Sequence, residues 1–396
     1  MMDYDVIIVG AGPAGSMAAK HAALNGAKTL LLEEHGQVGS PVSCTGHISH
    51  RALEECELEE GSFINNRIRG AFVYAPNNRY IVLDKKQTIV YVVERKLLDR
   101  EMARRAVKAG SEIMVSTRAE GLRAVPGGIS LEVSGTDGHS EISASVIIGA
   151  DGVKSKIARA AGLGNLPHVC SGIQVEAAYE PRDPEFVEMF SGSRYAPPPY
   201  FAWAVPTAGN CCRVGLLADE HANEYLQRLL TEHEIVSKKA RSSVDLIMGC
   251  VPVGTLKRTV TDNVIIVGDA AGQVKRVSYG GIYTGTRSAR IAGEVAARAA
   301  LSGDASSSRL MEYERRWRAD IGRELLLMMR FRRMYARMTD NDLNEALALL
   351  DDPDIAEVMT RYGDIDRPSQ LAFELLKLTR NKGMWRLMGL LAKMLF

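Results

Sequence analysis

Short apolar runs that close on a glycine recur along the chain. Val6-Ile7-Ile8-Val9 is mostly β-branched and ends at Gly10, which predicts a strand buried on both faces. The Ala-rich stretch 16–25 predicts a packed helix with Gly26 after its end, and 29–32 predicts a second strand closed by Glu33. The same order of strand, tight turn and helix returns at 146–159, with Asp151-Gly152 at the turn, and at 263–272, with Gly268-Asp269. Tyr279-Gly280-Gly281-Ile282 then opens another helix. Alternating segments at 71–74 and 80–83 predict a hairpin about Asn77-Asn78. A strand over 90–93 runs into a helix over 96–109, followed by short strands at 112–116 and 130–133 around the turn Pro126-Gly127-Gly128. Residues 170–217 predict a second sheet, interrupted at Pro197-Pro198-Pro199. From about residue 307 the pattern is helical: one long helix over 311–338, short ones at 340–350 and 355–361, and an amphipathic one at 368–379.

The expected class is therefore α/β, in discontinuous pieces. Residues 1–70, 94–168 and 258–305 make a dinucleotide-binding domain, 71–93 and 169–257 a substrate-binding domain, and 306–396 a C-terminal helical region. The first unit carries the chemistry. Gly10 permits the tight turn, Gly12 lets backbone N–H groups approach a pyrophosphate, and Gly15 lets helix and strand pack closely. The helix start offers oriented amides to phosphate, and Glu33 is spaced to accept from a ribose 2′-OH. Glu34 reads as a solvated charge. Strand, turn, helix, strand and acid in this order predict an ADP-containing dinucleotide.

Composition changes little. A net charge of +1, 46% hydrophobic and 24% charged residues are ordinary for a globular protein and give no reason to expect nucleic acid. Six cysteines show no CxxC pair or metal-ligand spacing; adjacent Cys211 and Cys212 fall on opposite faces of a strand. The opening MMDYD has no basic leader and no apolar run reaches about 18 residues, so a cytoplasmic protein is expected. The turn-rich loop 39–49 holds Cys44, which reads either as a functional loop residue or as a small buried apolar one. His47 and His50 read as surface or helix-start histidines. Arg95, where a strand meets a helix, reads as a partner for phosphate or a ring edge, or as a helix-face cation.

GAGPAG with Glu33, GADGVKSKIAR and DNVIIVGDAAG resemble the three fingerprints of the para-hydroxybenzoate hydroxylase group of FAD enzymes. In that group the third-motif Asp touches the ribityl chain and the next helix start faces the flavin pyrimidine, roles that fall on Asp269 and on Gly281 and Ile282. Two stretches are similar to the geranylgeranyl reductases of that group, especially the archaeal enzymes that saturate digeranylgeranylglycerophospholipids. Residues 41–49 resemble the family's Cys-containing loop beside the flavin. Phe201, Trp203, Pro206 and Gly215 match its aromatic-x-Trp-x-x-Pro…Gly substrate motif, although Gly215-Leu216-Leu217 lacks the second glycine. Lys275-Arg276-Val277 stands where related flavin enzymes usually carry a proline.

The resemblance implies a Rossmann-type FAD-binding domain, an antiparallel-sheet substrate domain and a C-terminal helical region. It implies FAD held by Gly10, Gly12, Ala14, Gly15 and Glu33, by Cys44, Thr45 and Gly46, and by Arg95, Ala119, Asp151, Asp269, Gly281 and Ile282. Cys44 is the expected proton donor as hydride reaches an alkene. The substrate would be a polyprenyl glycerophospholipid, bound by Phe201, Trp203, Pro206 and Gly215, and Trp203 would serve as packing or as the wall of a lipid pocket. The electron donor would be NAD(P)H, met without a dedicated fold, or reduced ferredoxin. Arg330, Arg332, Arg333 and Arg337 read as a solvated face or a contact for lipid phosphate. The final segment 383–396 is expected to dock on a membrane surface at the inner face of the cell membrane, at the pocket entrance, or in the core. Two rivals share the fold: a flavin-dependent aromatic monooxygenase and a non-enzymatic prenyl-lipid carrier.

Overall fold

Tyr4–Val9 lies inside an eight-stranded sheet in the computed structural model, which describes residues 2–136, 138–381, 385 and 389. Val6, Ile7 and Ile8 are wholly buried, as an apolar run without alternation requires. Its parallel neighbours are Thr29–Leu32 and Gly138–Gly149, and Glu112–Met114 and Val264–Ile266 extend the parallel order outward. Parallel strands bring their carboxyl ends to one edge, so the turns at Gly10, Asp151 and Gly268, and Glu33, gather there. Helix Pro13–Leu24 packs on Ile282–Ser302 through small residues: a Cβ on Gly293 would sit 2.4 Å from the Ala18 carbonyl oxygen.

The strand expected from 146 begins at Gly138 and changes partner along its length. Its second half takes the parallel place, while its first half continues an antiparallel meander with Gly128–Gly135 and Arg118–Val125. The sequence hides the outer strand because much of it faces water, with Arg118, Glu120 and Arg123 ion-paired at the surface.

The second sheet has seven strands in the order Ala240–Pro252, Val169–Tyr179, Cys211–Ala218, Ala202–Pro206, Phe186–Phe190, Gly70–Tyr74, Tyr80–Asp84. Every pair is antiparallel except Phe186–Phe190 with Gly70–Tyr74, which is parallel. An apolar core including Ile173, Val175 and Val214 takes in Leu226 and Leu229 of helix Ala222–Glu232. Gln174, Trp203 and Arg213 form a polar group that reaches the cofactor-side loop. Cys212 is buried, Cys211 is half-buried, and both are free thiols. Val90–Val93 leaves this sheet and pairs with His47–Ser49 and Ile64–Ile68 in a small sheet of three strands. That pairing sets the exit of the Cys44 loop beside Glu94 and Arg95.

The single helix expected over 311–338 is two helices, Ser307–Trp317 and Arg323–Tyr335, joined through a π-helical turn at Arg318–Gly322. Asp340–Leu350 starts at a Thr339–Asp342 capping box, Pro353–Tyr362 at an Asp352 cap, and Pro368–Asn381 follows. Of the segment 383–396, only Trp385 and Gly389 lie among the described residues, so its expected docking falls outside them. No described helix is long and apolar enough to cross a membrane.

Candidate functional site

The gathered strand ends open on a cavity of about 700 Å³. Gly10, Gly12 and Ala14 form one wall. Gly10 has φ +100°, and a Cβ there would lie 2.5 Å from the Ala150 carbonyl oxygen; the Cβ direction of Gly12 meets nothing within 4 Å, which leaves its backbone open to a ligand. Gly15 lies beneath the turn, where a Cβ would come within 1.7 Å of the Gly10 carbonyl oxygen.

Glu33 is buried in the cavity wall. Its Oε2 accepts the Ala11 N–H at 3.1 Å; its Oε1 accepts the His35 N–H at 3.0 Å and lies 2.7 Å from His35 Nδ1. Glu34 is instead exposed and pairs with Arg118 at 3.4 Å. Ala119 lines the cavity from the meander. Asp151 accepts from Ser155 Oγ at 2.5 Å and from the Ile157 N–H at 3.0 Å, so much of its bonding capacity serves the start of helix Lys156–Ala160. Asp269 differs. Its half-buried carboxylate has no hydrogen-bond partner among the described residues, and desolvation raises its pKa against the opposing charge of Arg95. Gly281, whose Cβ would lie 2.7 Å from Asp269 Oδ1, is the N-cap of helix Ile282–Ser302, which has no side-chain cap. Its first amides are available at the cavity.

Cys44 is half-buried and lines the cavity. The Gly46 N–H donates to its sulfur at 3.3 Å, and the Arg95 guanidinium lies near enough to interact electrostatically with it. Arg95 is held by Asp99 in a two-pronged pair, Nε at 3.0 Å and Nη2 at 2.9 Å. Thr45 and Gly46 do not line the cavity. They anchor the loop: Thr45 Oγ1 donates to Gln174 Oε1 at 2.8 Å, and its carbonyl accepts from Arg213 Nη1 at 2.7 Å. Gly46, at φ +75°, approaches Val93 so closely that a Cβ would sit 2.2 Å from that carbonyl oxygen.

The four residues of the expected substrate motif stand behind the cavity wall. Trp203 Nε1 donates to Gln174 Oε1 at 3.2 Å, and Gly215 lies in register opposite both Gln174 and Trp203. A Cβ on Gly215 would be 2.3 Å from Gln174 Cβ, so the glycine allows that contact. Phe201 meets the cavity through Tyr279, ring centroids 6.2 Å apart. Pro206 ends its strand, and its carbonyl accepts from Asn66.

Sequence reasoning missed several neighbours. His47 lines the cavity with a buried Nε2 that has no hydrogen-bond partner among the described residues; burial and the Lys275 charge press its pKa down to about 4, so it is neutral. Lys275, also in the wall, pairs with Asp366 at 2.6 Å, and Ser49 Oγ donates to the other Asp366 oxygen at 2.5 Å. Arg213 and Gln174 gave no local signal, because their partners lie far away in sequence.

The Gly12 opening, the uncapped helix start, the Asp269 carboxylate at the cavity and the orphaned His47 Nε2 fit a dinucleotide whose phosphates, hydroxyls and ring edge supply partners. A doubly glycine-turned parallel sheet roofed by a second sheet defines a flavoprotein of the FAD-binding class. The family model described as FAD binding domain matches residues 3–326. The chain is 38% identical over 369 residues to digeranylgeranylglycerophospholipid reductase 2 of Methanothermobacter thermautotrophicus, covering 90% of this chain and 94% of that one. It is 35% identical to digeranylgeranylglycerophospholipid reductase of Methanothrix thermoacetophila, covering 91% and 94%. The crystal structure of a geranylgeranyl bacteriochlorophyll reductase-like protein from Thermoplasma acidophilum matches with a TM-score of 0.83 at 26% identity, covering 91% and 97%. The chain belongs to the FAD-binding-domain family and, within it, to the digeranylgeranylglycerophospholipid reductases. It is an FAD-dependent oxidoreductase, as its three motifs imply.

Proposed function

We propose that this chain saturates the C=C bonds of geranylgeranyl chains in digeranylgeranylglycerophospholipids, the precursors of archaeal-type ether lipids. The relatives' activity supports the reaction class; the observation that carries the chemistry is a cysteine sulfur in the cofactor cavity, faced by Arg95 and the Gly46 N–H. FAD, once bound and reduced, would supply the hydride. An isolated trisubstituted alkene has no carbonyl to store negative charge, so a proton must arrive with that hydride. The Cys44 S–H gives the proton, and the Arg95 guanidinium and Gly46 N–H then face the negative charge left on sulfur. Asp99 fixes Arg95 for this purpose. Neutral His47 orients a polar edge of the cofactor through Nε2 and carries no imidazolium proton at neutral pH. Gly10, Gly12 and the start of helix Pro13–Leu24 would hold the pyrophosphate, Glu33 the ribose, Asp269 the ribityl chain, and the amides at Gly281 and Ile282 the ring edge. NAD(P)H or reduced ferredoxin supplies the electrons, and the lipid substrate is met at a membrane surface.

The test is anaerobic. Dithionite-reduced protein, freed of excess reductant, receives the geranylgeranylated lipid, and the flavin absorbance is followed. Reoxidation by the unsaturated lipid and none by its saturated counterpart is expected. Equal flavin behaviour with both lipids would overturn the reading.

A further inference from the structure

Tyr279 holds a backbone conformation that suits glycine. Its φ is +58°, and among the described non-glycine residues in the left-handed region it is the one that is buried. A bulky residue there is strained, and such strain persists only where surrounding contacts over-determine it. Those contacts are specific. The Tyr279 hydroxyl donates to the Pro199 carbonyl at 3.1 Å, and its ring packs on Tyr200 at 5.5 Å and Phe201 at 6.2 Å between centroids. Tyr200 is held in turn by Arg332, whose Nη2 donates to its hydroxyl at 2.7 Å.

The ring stands between the cavity and a packed apolar cluster. On one side it lines the cofactor cavity beside Gly280 and Gly281. On the other it belongs to an apolar cluster of Cys170, Tyr200, Leu217 and Val253, against which Phe201, Trp203 and Met329 pack. Val251 alone shares both sides with it among the described residues. A cavity of about 700 Å³ falls in the ~300–1,000 Å³ range that encloses one ligand of drug or cofactor size. A geranylgeranyl chain lying beside FAD needs room beyond that wall, and the apolar side of the wall is the one Tyr279 closes.

We propose that Tyr279 is a specificity-determining residue, its ring limiting how far a polyprenyl chain advances past the flavin and so which alkenes are presented for reduction. The inference rests on the prenyl-reductase reading. It accounts for the retained strain: the ring is held by its hydroxyl and its aromatic neighbours at a position where glycine would be relaxed but would leave the cavity open toward the apolar cluster.

The test uses FAD-loaded, dithionite-reduced protein with farnesyl- and geranylgeranyl-glycerophospholipids, and mass spectrometry of the products. Tyr279→Asn tolerates the left-handed backbone without the ring, Tyr279→Gly removes the strain altogether, and Tyr279→Phe keeps the ring. One methylene of fit in an apolar pocket shifts discrimination about 10- to 200-fold, so the Asn or Gly variant should change the preference between the two chain lengths at least ~10-fold and alter the number of bonds saturated. The Phe variant should keep the wild-type pattern. A wild-type product pattern from either ring-less variant with FAD bound would overturn the inference while leaving the reductase reading intact. A wild-type enzyme that saturates neither lipid would overturn that reading, and the inference with it.

Discussion

Glu33 uses one carboxylate to close the glycine turn and, in the proposed reading, to accept from the ribose. Its Oε2 holds Ala11 in place before any ligand arrives, so the acid both builds the site and serves it. Hydrogen bonds to charged groups contribute about 1.5–3 kcal/mol, so Glu33→Ala should weaken FAD binding roughly 10- to 100-fold. Flavin titration of apoprotein measures this, and an unchanged dissociation constant would contradict the assignment. Gly15 is stricter. Alanine would put a methyl 1.7 Å from the Gly10 carbonyl oxygen, and overpacking of this kind costs about 1–3 kcal/mol or more. Gly15→Ala should therefore purify with little flavin and a lowered melting temperature. Both residues could be read in the sequence because spacing fixes their jobs: the turn is local, and the acid ends the next strand. His47 could not, since it shares the cavity wall with Lys275, more than 200 residues onward, whose charge helps press down its pKa. Gln174 was equally hidden, because its partners Thr45 and Trp203 come from two other elements.

At the scale of elements, strands buried on both faces were the easiest to place, and those with one wet face the hardest. The three strand–turn–helix units stand where the apolar runs put them, whereas Arg118–Val125 carries its charges outward and broke the pattern. Ala240–Pro252 was missed as well, although Val244, Leu246 and Met248 alternate along it; all three are exposed on an edge strand. The short helix Val236–Lys239 depends on His233, whose Nδ1 accepts from the N–H groups of Ile235 at 3.3 Å and Val236 at 3.4 Å. Burial against Phe190 and Tyr195 presses the His233 pKa from 6.5 down to about 4. Between those values the unfolded chain binds more protons than the folded one, so this group withdraws stability as pH falls from about 6.5 to about 4. The loss is absent above that window and complete below it. His233→Asn keeps a small polar acceptor that does not titrate. Its melting temperature should fall less steeply than that of the wild type across the window, and parallel profiles would refute the role.

Across the whole molecule, the segment before the last described helix is tied to the cofactor side. Arg51 pairs with Asp364 at 3.0 Å, Lys275 with Asp366 at 2.6 Å, and Arg367 Nε donates to the Tyr283 hydroxyl at 3.2 Å. Such contacts join positions separated by as many as 313 residues, beyond the reach of any local pattern, and Lys275 showed in the sequence only as a departure from proline. Lys275 and Asp366 are both almost fully buried, so Asp366→Asn should cost about 3–5 kcal/mol by stranding an ammonium. Urea unfolding of the holoprotein measures it, and the double change Lys275→Met with Asp366→Leu should recover much of the loss. In the proposed reading these scales meet in a folded flavin site where hydride reaches a prenyl alkene while Cys44 delivers the proton. Mass spectrometry of geranylgeranylated glycerophospholipid after a single turnover with dithionite-reduced enzyme tests it most directly, wild type beside Cys44→Ser. Positioned proton transfer contributes about 10²–10⁴-fold, so lipid heavier by two hydrogens per reduced bond should form with wild type and that much more slowly with the Ser variant, at equal flavin content. Equal rates of saturation in the two proteins would remove Cys44 from the chemistry, and no mass gain with wild type would contradict the reductase itself.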